Sequence, residues 1–453
     1  MRSVKSTTNR LAKTTAFSLA LFAAQVSLAQ ENSPYSRYGM GDVVPNQNVV
    51  NRGMGGISAA VPNYLSINFN NPALLGNLSN TRTFSNTLFD IGGEIDIRSL
   101  KSTTNPEKFK SVNTLFSYLQ IAFPVSSKKM EKKGTYWGVS LGLRPVTRIN
   151  YKVEKTERLS GIDSLQTVYE GSGGLNQVNL STGIRIKRFN IGISTGYTFG
   201  NKDYSTKLNF INDSVVYYKS NYEVQSHYGG VFLNTGIYYS AETKKGAAIN
   251  IGGYVNLQQD LSARRDKINE TFTYSSVGTL INIDTVDYKQ EESGKIKMPM
   301  TYGLGFTYQD KNRNWLVGVD YEATNWSKYR YYDEQDAVKD NWVIRAGAEY
   351  YPAKPNSAAN KYWSFVKYRA GFYYGPDYIQ LNKTRPNFAA SLGASFPLTN
   401  AQLIRYGDYV LLHTAMEFGG RGNKQSQSFR ESIMRFSIGI SMNARWFRKR
   451  SYD

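Results

Sequence analysis

Apolar and polar residues alternate with a period of two through most of this chain after residue 80. A typical stretch, 302–308, reads YGLGFTY, with large apolar side chains on one face and glycine or threonine on the other. The stretches 315–321, 342–350 and 434–442 repeat the scheme, and most such stretches begin or end with an aromatic residue. This alternation is the pattern of β-strands that have one apolar face.

The alternation predicts fourteen strands. They lie near residues 81–98, 112–125, 134–155, 173–187, 189–210, 217–240, 247–272, 279–309, 314–326, 341–351, 362–374, 387–396, 407–418 and 432–446. An even number is usual for a closed bacterial barrel. Several predicted strands exceed the roughly 9–11 residues that cross a bilayer, so we expect them to project beyond the membrane as ribbons.

The aromatic content separates a membrane barrel from a soluble sandwich. Aromatic residues make up 14% of the chain and tyrosine alone supplies 34, while the mean hydropathy is low. A transmembrane barrel has this composition, because its lipid face is apolar, its lumen is polar and aromatic side chains gather at the two interfaces. The predicted fold class is therefore all-β, a transmembrane antiparallel β-barrel of about fourteen strands.

A different segment precedes the strands. Residues 51–75, NRGMGGISAAVPNYLSINFNNPALL, contain too much Gly, Asn and Pro for a regular strand or helix. The same segment carries apolar side chains that need cover, which a free tail would not provide. We therefore predict a plug, or hatch, at 30–80 inside a barrel at 81–447, followed by a short basic tail at 448–453.

The first residues are typical of an export signal. Basic residues lie before position 14, an apolar run of about eleven residues follows at 16–26, and Ser27-Leu28-Ala29 forms a cleavage site. The predicted signal peptide is 1–29, and the apolar run is too short to span a membrane as a helix. The chain has no Cys, which excludes disulfides and cysteine-based metal or redox chemistry.

The net charge is +20, or about +16 without the signal peptide. An exported chain does not meet nucleic acid, so we expect anionic lipid headgroups or lipopolysaccharide phosphates as the counter-charge. A merely solvated basic surface is the alternative. Four predicted turns, 126–134, 241–246, 310–314 and 352–361, are polar and bear lysine.

Few residues suggest catalysis. The two histidines, His227 and His413, are too few and too isolated for a metal site, and no cofactor motif is present. No Ser lies beside His413 in sequence, although a serine on a neighbouring strand could reach it, so we predict no catalytic residues. Charged residues fall on the predicted lumen face, where they either hold the plug or form a network that stabilises the barrel. They are Arg185, Arg345, Arg369, Asp320, Glu349, Glu417 and Arg435.

Two blocks of sequence are similar to a known family. Gly53-Met54-Gly55-Gly56, followed by Asn71-Pro72-Ala73, resembles the hatch of the FadL/TodX outer-membrane transporters of hydrophobic compounds. Residues 298–326 resemble a late hairpin of the same family, with a proline before a glycine-alternating strand and a tryptophan closing the next one. The start at 33–39, SPYSRYG, looks more like members from Bacteroidetes-type bacteria, a group that includes PorV-like barrels of protein secretion.

The resemblance implies a function and candidate residues. A passive channel in the outer membrane of a Gram-negative bacterium would take up hydrophobic molecules such as long-chain fatty acids, gated by hatch residues Gly53, Gly55, Gly56, Asn71, Pro72 and Ala73. The ligand would leave sideways at a strand kink, for which Pro145 is the candidate, although Pro145 could instead begin a strand extension. Five apolar hatch residues could line the ligand site or only pack the hatch: Leu65, Ile67, Phe69, Leu74 and Leu75.

Two further functions stay open. A PorV-like accessory barrel would bind protein partners in secretion or surface attachment. An outer-membrane lipase would need a serine in reach of a base.

Overall fold

A computed structural model describes residues 33–78, 87–101, 108–158, 164–211, 217–275, 277–354, 360–380, 384–399, 409–422 and 430–444. The predicted signal peptide, the basic tail and residues 79–86 lie outside these ranges. None of the helices in the described ranges combines the length and apolar character needed to cross a membrane.

Fourteen antiparallel strands form one closed barrel. They are β1 (Thr87–Lys101), β2 (Lys108–Pro124), β3 (Thr135–Arg158), β4 (Ser164–Ile186), β5 (Phe189–Ile211), β6 (Lys219–Glu242), β7 (Ala248–Asn256 and Gln259–Tyr274), β8 (Leu280–Met298 and Thr301–Gln309), β9 (Trp315–Thr324), β10 (Asn341–Tyr350), β11 (Lys367–Pro376), β12 (Pro386–Pro397), β13 (Tyr409–Arg421) and β14 (Arg430–Ala444). Each strand pairs with the next in sequence, and β14 pairs with β1 from Arg430–Lys101 to Ala444–Thr87, which closes the barrel.

The predicted count of fourteen is confirmed, with differences at individual strands. β4 begins at Ser164 rather than at residue 173, because the ladder to β5 continues through Gly173 and Gly174 to the pair Ser164–Ile211. Those two glycines have φ of 123° and 138°, which interrupts the alternation that the prediction relied on. Breaks at 257–258 and 299–300 divide β7 and β8 without removing them from the wall.

The two ends of the barrel differ. β9, β10 and β11 have ten residues each, a bilayer-crossing length. β3 to β8 are much longer and all extend at the same end, which we call the ribbon end. The opposite end, the turn end, holds both the start of β1 and the end of β14, together with the connecting residues 125–134, 187–188, 243–247, 310–314, 351–354, 360–366 and 398–399.

The predicted plug occupies the lumen. It contains a 3-10 turn (Pro34–Arg37), a two-residue strand (Asp42–Val43), a helix α1 (Val49–Arg52) and a second 3-10 turn (Pro72–Asn77). Local sequence explains the last two, because the side chains of Asn48 and Asn71 accept hydrogen bonds from Asn51 N and Ala73 N at the two N-caps. We call residues 33–45 the upper plug and residues 46–78 the lower plug.

The core of the protein is the contact between plug and wall. The described residues form five buried apolar clusters, and every one of them contains plug residues. The lumen of a fourteen-stranded barrel is wide enough to stay open unless something fills it. Here the plug supplies the apolar surface that the wall packs against.

Candidate functional site: the plug, its seat and the side opening

The three glycines of the predicted hatch motif lie against the barrel wall. Gly55 and Gly56 have φ of 68° and 84°, a region that favours glycine. A Cβ on Gly55 would lie closer than 3.0 Å to the backbone of Phe372 on β11, and a Cβ on Gly53 would lie 3.0 Å from the Cα of Gly393 on β12. The motif is therefore required by a tight turn and by backbone-to-backbone packing.

The second hatch motif is also a contact with the wall. Asn71 donates from Nδ2 to Ala59 O at 2.7 Å within the plug and to Ile237 O of β6 at 3.0 Å. Pro72 begins the 3-10 turn, and Ala73 O accepts from Asn190 Nδ2 of β5 at 3.0 Å. These bonds fix the position of the motif, and a gating role for it stays a prediction.

A belt of wall glycines receives the lower plug. At each of nine glycines, one per strand on β3–β8 and β10–β12, an added Cβ would lie closer than 3.0 Å to a plug atom. This glycine belt comprises Gly138, Gly183, Gly192, Gly236, Gly252, Gly305, Gly347, Gly371 and Gly393. The sequence showed these residues only as the small members of the lumen face. Their recurrence on strand after strand was the available signal.

The plug chain follows the belt in reverse strand order. Gly53 meets β12, Ala59 meets β8 and β7, Pro72 meets β5 and β4, and the Leu75 carbonyl meets Gly138 on β3. Residues between Ala59 and Asn71 interrupt this order. There Leu65 and Ile67 contact β1, β2 and β13, and Phe69 packs against Tyr118 of β2.

Polar wall residues bind the backbone of the lower plug. Asp320 Oδ2 on β9 accepts from Ser58 N at 2.6 Å and from Ala59 N at 2.8 Å. Asp90 Oδ2 on β1 accepts from Ile67 N at 3.0 Å, and Asn234 Nδ2 on β6 donates to Asn70 O at 3.0 Å. These bonds satisfy plug amides and carbonyls that are buried away from water. Sequence reasoning placed Asp320 in the lumen but missed its partners, which lie more than 260 positions away.

Buried ion pairs join plug and wall. Arg52 of α1 pairs with Glu94 of β1, whose other oxygen accepts from Arg148 Nη1 of β3 at 2.6 Å. Asp42 of the upper plug pairs with Arg98 and, at 2.7 Å, with Arg421. The predicted lumen charges include pairs within the wall as well. They are Arg345–Glu322, Arg369–Glu349 and Arg435–Glu417, at 2.9, 2.7 and 3.4 Å.

The lumen charges therefore do both things that the sequence left open: some hold the plug and others connect strands. Arg185 connects β4 to β3 without an ion pair among the described residues. Its guanidinium lies at the turn end over the Tyr136 ring, 5.3 Å from the ring centroid.

The upper plug closes the ribbon end. The peptide of Gly39 is held on both sides, because its N–H donates to Asp336 Oδ2 at 2.7 Å and its carbonyl accepts from Lys202 Nζ at 3.0 Å. Burial lowers the pKa of the Lys202 ammonium to about 8, against the opposing effect of the Asp336 carboxylate. Tyr35 and Met40 pack in an apolar mouth cluster with residues of the wall and of the segments 325–340 and 377–380, among them Trp326, Tyr329, Val338, Tyr378 and Ile379.

The five predicted ligand-lining residues are buried and distributed over three clusters. Leu65, Ile67 and Leu75 pack with Leu88, Ala122, Tyr409 and Leu411 of the wall. Phe69 lies 5.3 Å from the Tyr118 ring, centroid to centroid, and Leu74 packs against Tyr238. The structure thus places them in plug–wall packing, and ligand contact stays a prediction for them.

An interior cavity of about 260 Å³ lies beside the upper plug. The part of its lining on β1, β10, β13 and β14 is charged, with Arg98, Arg345, Arg421 and Arg435. The part on β4 to β7 is polar but uncharged, with Gln177, Thr198, Asn234 and Gln259. The sequence did not predict this cavity, because the two linings come from opposite halves of the barrel.

Arg144 also lines this cavity, and it forms no ion pair with a carboxylate in the described part of the chain. Its Nε and Nη2 donate to Gln177 Oε1 at 3.1 and 2.7 Å, and its guanidinium lies 5.1 Å from the Phe69 ring centroid. Its Nη1 is buried and has no hydrogen-bond partner within the described part of the chain. The site therefore leaves a positive charge and a donor for an anionic group.

The barrel wall is interrupted next to Arg144. β2 and β3 pair only from Pro124–Gly138 to Leu119–Leu143, so residues 108–118 of β2 have no partner on β3 among the described pairs. A bulge between Pro145 and Thr147 displaces β3 at this point, and the ribbon extension of β3 begins there. The sequence left two roles open for Pro145, a strand kink or the start of a strand extension. In the structure Pro145 lies at a bulge and also where the extension begins, and a role in ligand exit stays a prediction.

The upper plug covers this side opening from inside. Asp42 and Val43 pair with Arg148 and Thr147 on the free edge of β3. Arg148 also crosses the opening, donating from Nη2 to Phe116 O of β2 at 2.7 Å. Further bonds to β3 run from Val44 N to Val146 O at 3.0 Å and from Ser33 N to Asn150 O at 3.2 Å. The opening is therefore closed by the upper plug and one arginine rather than by a continuous β2–β3 ladder.

His413 has two serine neighbours on adjacent strands. Ser395 Oγ lies 2.6 Å from Nδ1 and Ser441 Oγ lies 2.9 Å from Nε2. The histidine is 1% exposed, and none of the three residues lines the interior cavity. Ser395 and Ser441 are buried as well. Within the described ranges, no three His, Asp or Glu side chains converge as metal ligands.

The fold of the barrel is similar to that of several solved outer-membrane proteins. It is similar to the monoaromatic hydrocarbon channel CymD, with 15% identity, a TM-score of 0.50, and 91% of this chain and 100% of that chain covered. It is similar to a Pseudomonas aeruginosa FadL homologue, with 12% identity, a TM-score of 0.54, and 89% and 100% covered. For the Ralstonia pickettii toluene transporter TbuX the values are 15%, 0.50, 88% and 98%. At these identities the likeness establishes the FadL-type fold.

Sequence comparison supplies the family. No curated protein matches the chain. A family model described as BamG matches residues 11–453, nearly the whole sequence. The barrel fold and this match place the protein in the outer membrane of a Gram-negative bacterium. The chain belongs to the BamG family.

Proposed function

We propose that this protein is a passive channel through which hydrophobic small molecules, such as long-chain fatty acids, enter the outer membrane sideways. The observation that carries the proposal is the side opening between β2 and β3, which only the upper plug and Arg148 close. The FadL-type fold supports it, because the solved structures with this fold include a toluene transporter and a hydrocarbon channel.

The proposed path follows the apolar surface. A ligand from outside would displace the upper plug from the mouth cluster, where Tyr35 and Met40 contact apolar wall and loop side chains. It would then pass Val43, Val44 and Val146 to the side opening and leave between β2 and β3. The centre of the lumen is not an apolar route, because the glycine belt and the lower plug fill it.

Arg144 gives this path a place for a carboxylate. Its unpaired Nη1 would hold the headgroup beside the opening while the tail lies toward the lipid. Charge-assisted bonds of this kind are roughly twice as strong as neutral ones. Arg144→Gln should therefore weaken uptake of a fatty acid more than uptake of an uncharged hydrocarbon.

A reversible lock tests the proposal. The natural chain has no Cys, so Val43→Cys with Thr147→Cys, on directly paired positions, would form the sole disulfide and fix the upper plug to β3. We expect cells with the oxidised pair to lose most uptake of labelled oleate and to regain it on reduction, because the opening cannot clear while the strand is held.

The control lock is Val410→Cys with Met442→Cys, a pair within the β13–β14 ladder. It should leave uptake unchanged in both redox states. If the variant with Val43→Cys and Thr147→Cys takes up oleate equally well in its oxidised and reduced forms, the lateral-exit mechanism is wrong.

A second candidate function is an accessory barrel of the PorV-like type that binds protein partners in secretion or surface attachment. The ribbon formed by β7 and β8 favours it, because this ribbon exposes apolar side chains to solvent. They include Val277, Val286 and Ile281, at 84%, 64% and 46% exposure. Exposed apolar patches of this kind mark interaction sites.

Photo-crosslinking from position 286 in whole cells separates the two candidates. A single recurrent crosslinked protein, together with normal oleate uptake in the locked variant, would favour the accessory barrel. Crosslinks to lipopolysaccharide alone, together with loss of uptake on locking, would favour the channel.

A further inference from the structure

The described connections at the turn end are strongly basic. Five of the turn-end connections carry twelve exposed Lys and Arg residues against two acidic residues, Glu131 and Asp310. The basic residues, which we call the basic ring, are Lys128, Lys129, Lys132, Lys133, Lys187, Arg188, Lys244, Lys245, Lys311, Arg313, Lys354 and Lys361. By contrast, the described loop 325–340 at the ribbon end carries three basic and four acidic side chains.

The turn end faces the periplasm. Outer-membrane barrels have short periplasmic turns and long extracellular excursions. Here the excursions are the ribbons of β3 to β8, and all of them project from the opposite end. The basic ring is therefore on the side of the inner, phospholipid leaflet. Of the two counter-charges that the sequence suggested, this position favours anionic lipid headgroups over lipopolysaccharide phosphates.

The basic ring is not neutralised by the protein itself. None of its twelve members forms an ion pair with another described residue, whereas many lumen arginines do. Among the described contacts these charges are neither buried nor paired. They are therefore available to groups outside the chain.

The position of the basic ring favours lipid over a protein partner. The five turns extend around the wall from β2 to β11, whereas one protein partner would cover one sector. Exposed aromatic residues lie beside them at the membrane edge, including Trp137, Phe189, Tyr239, Trp315 and Trp363. Aromatic side chains settle at the interface between hydrocarbon and headgroups. The neighbouring lysines are therefore at the depth of lipid phosphates.

We propose that the basic ring is a binding surface for the anionic phosphodiester headgroups of phospholipids in the periplasmic leaflet. Juxtamembrane Lys and Arg attract anionic lipid through the surface potential of the leaflet, within about one Debye length. The ring would thereby gather an anionic annulus around the barrel and fix its depth in the membrane. This inference does not depend on what the channel carries.

The test uses the full mature protein in mixed vesicles of phosphatidylcholine and phosphatidylglycerol. Native mass spectrometry after gentle detergent extraction should find phosphatidylglycerol enriched several-fold in the retained lipid relative to the vesicles. The variant Lys129→Gln, Arg188→Gln, Lys245→Gln, Lys361→Gln removes one charge from each of four turns and should lose most of this enrichment.

The matched control removes four exposed charges at the ribbon end: Lys108→Gln, Lys110→Gln, Lys289→Gln, Lys328→Gln. It should keep the enrichment, and heat-modifiable migration of both variants verifies folding. Retained lipid in bulk proportion for the natural protein, or an equal loss in both variants, would overturn the proposal. So would an acidic protein that crosslinks to these turns while lipid is retained in bulk proportion.

Discussion

At the scale of single residues, Asp320 shows how one side chain can anchor an irregular segment. Its Oδ2 accepts from two consecutive plug amides, Ser58 N and Ala59 N, and the carboxylate is 4% exposed. Hydrogen bonds to a charged group contribute about 1.5–3 kcal/mol, and an unpaired buried amide costs about 1–3 kcal/mol. Loss of this carboxylate should therefore loosen the plug near residue 58.

Asp320→Ala should destabilise the plug by about 2–4 kcal/mol, because it leaves two buried amides without an acceptor. Hydrogen exchange at Ser58 and Ala59 is the measurement, and both amides should exchange faster by about 1.5 to 3 orders of magnitude. Asp320→Asn keeps one acceptor oxygen and should be intermediate. Unchanged exchange in the alanine variant would mean that the plug is held there by packing alone.

A glycine-to-alanine substitution in the glycine belt tests whether the lower plug needs this close packing against the wall. Gly252→Ala would place a Cβ against the Ala59 carbonyl, and overpacking of this kind costs about 1–3 kcal/mol. We expect a lower thermal unfolding temperature and easier proteolysis of the lower plug. The control is Gly420→Ala, where the closest atom, Glu431 O, is at 3.1 Å and belongs to the wall. Equal effects of the two substitutions would contradict a special role for the belt.

At the scale of elements, the ribbon of β7 and β8 is held by ion pairs outside the membrane. Glu292 accepts from Arg265 Nε and Nη2 at 2.8 and 2.9 Å, and lies 2.8 Å from Lys267 Nζ. The Arg265 guanidinium also lies over the Tyr332 ring, 3.8 Å from the centroid. This cluster lies at a bulge in the β7–β8 ladder, between Lys289 and Glu292.

The ribbon should loosen in acid. Hydrogen bonds from Arg265 and then Lys267 lower the pKa of Glu292 to about 2 from an ordinary 4.5. Because the folded-state pKa is depressed, the stabilisation is fully present above pH 4.5 and is lost as the pH falls toward 2. Hydrogen exchange of ribbon amides should accelerate through this window. Glu292→Gln should remove that dependence, and an unaltered acid response would show that other groups control it.

The alternating pattern was sufficient to predict the strands of the wall. It did not predict which wall residues contact the plug. The strand count and the presence of a lumen plug were predictable because both depend on local alternation and on the composition of residues 51–75. The end of the ladder between β2 and β3 was not predictable. Pro145 marks the position, yet whether a strand edge pairs with a neighbour or with the plug depends on contacts more than 100 residues apart.

At the scale of the whole molecule, the plug has two parts that are held in different ways. The lower plug contacts nine strands through the glycine belt. The upper plug is held by the mouth cluster and by polar contacts such as those of Gly39 and Asp42, and it lies beside a cavity. The cavity leaves the upper plug room to shift, whereas wall atoms lie directly against the lower plug. The upper plug is therefore the part expected to move.

Conductance measurements on truncated forms should distinguish the upper plug from the lower plug. The first form lacks residues 33–45. We expect a modest ion current in planar bilayers, because the mouth opens while the lower plug stays seated. Removal of residues 33–78 should give a much larger current, since a fourteen-stranded lumen is then empty. Intact protein should be nearly silent. Equal currents from the two truncated forms would mean that the lower plug does not stay in place without the upper one.

The order in which the lower plug meets the strands has a consequence for biogenesis. Residues 71–75 touch only neighbouring strands, β6 to β3, so this part can dock while the sheet is still open. Leu65 and Ile67 touch both β1 and β13, so they can be seated fully only when the first and last strands approach each other. An assembly intermediate should therefore protect the region near residue 75 from protease before β14 pairs with β1, and the region near residue 66 only afterwards.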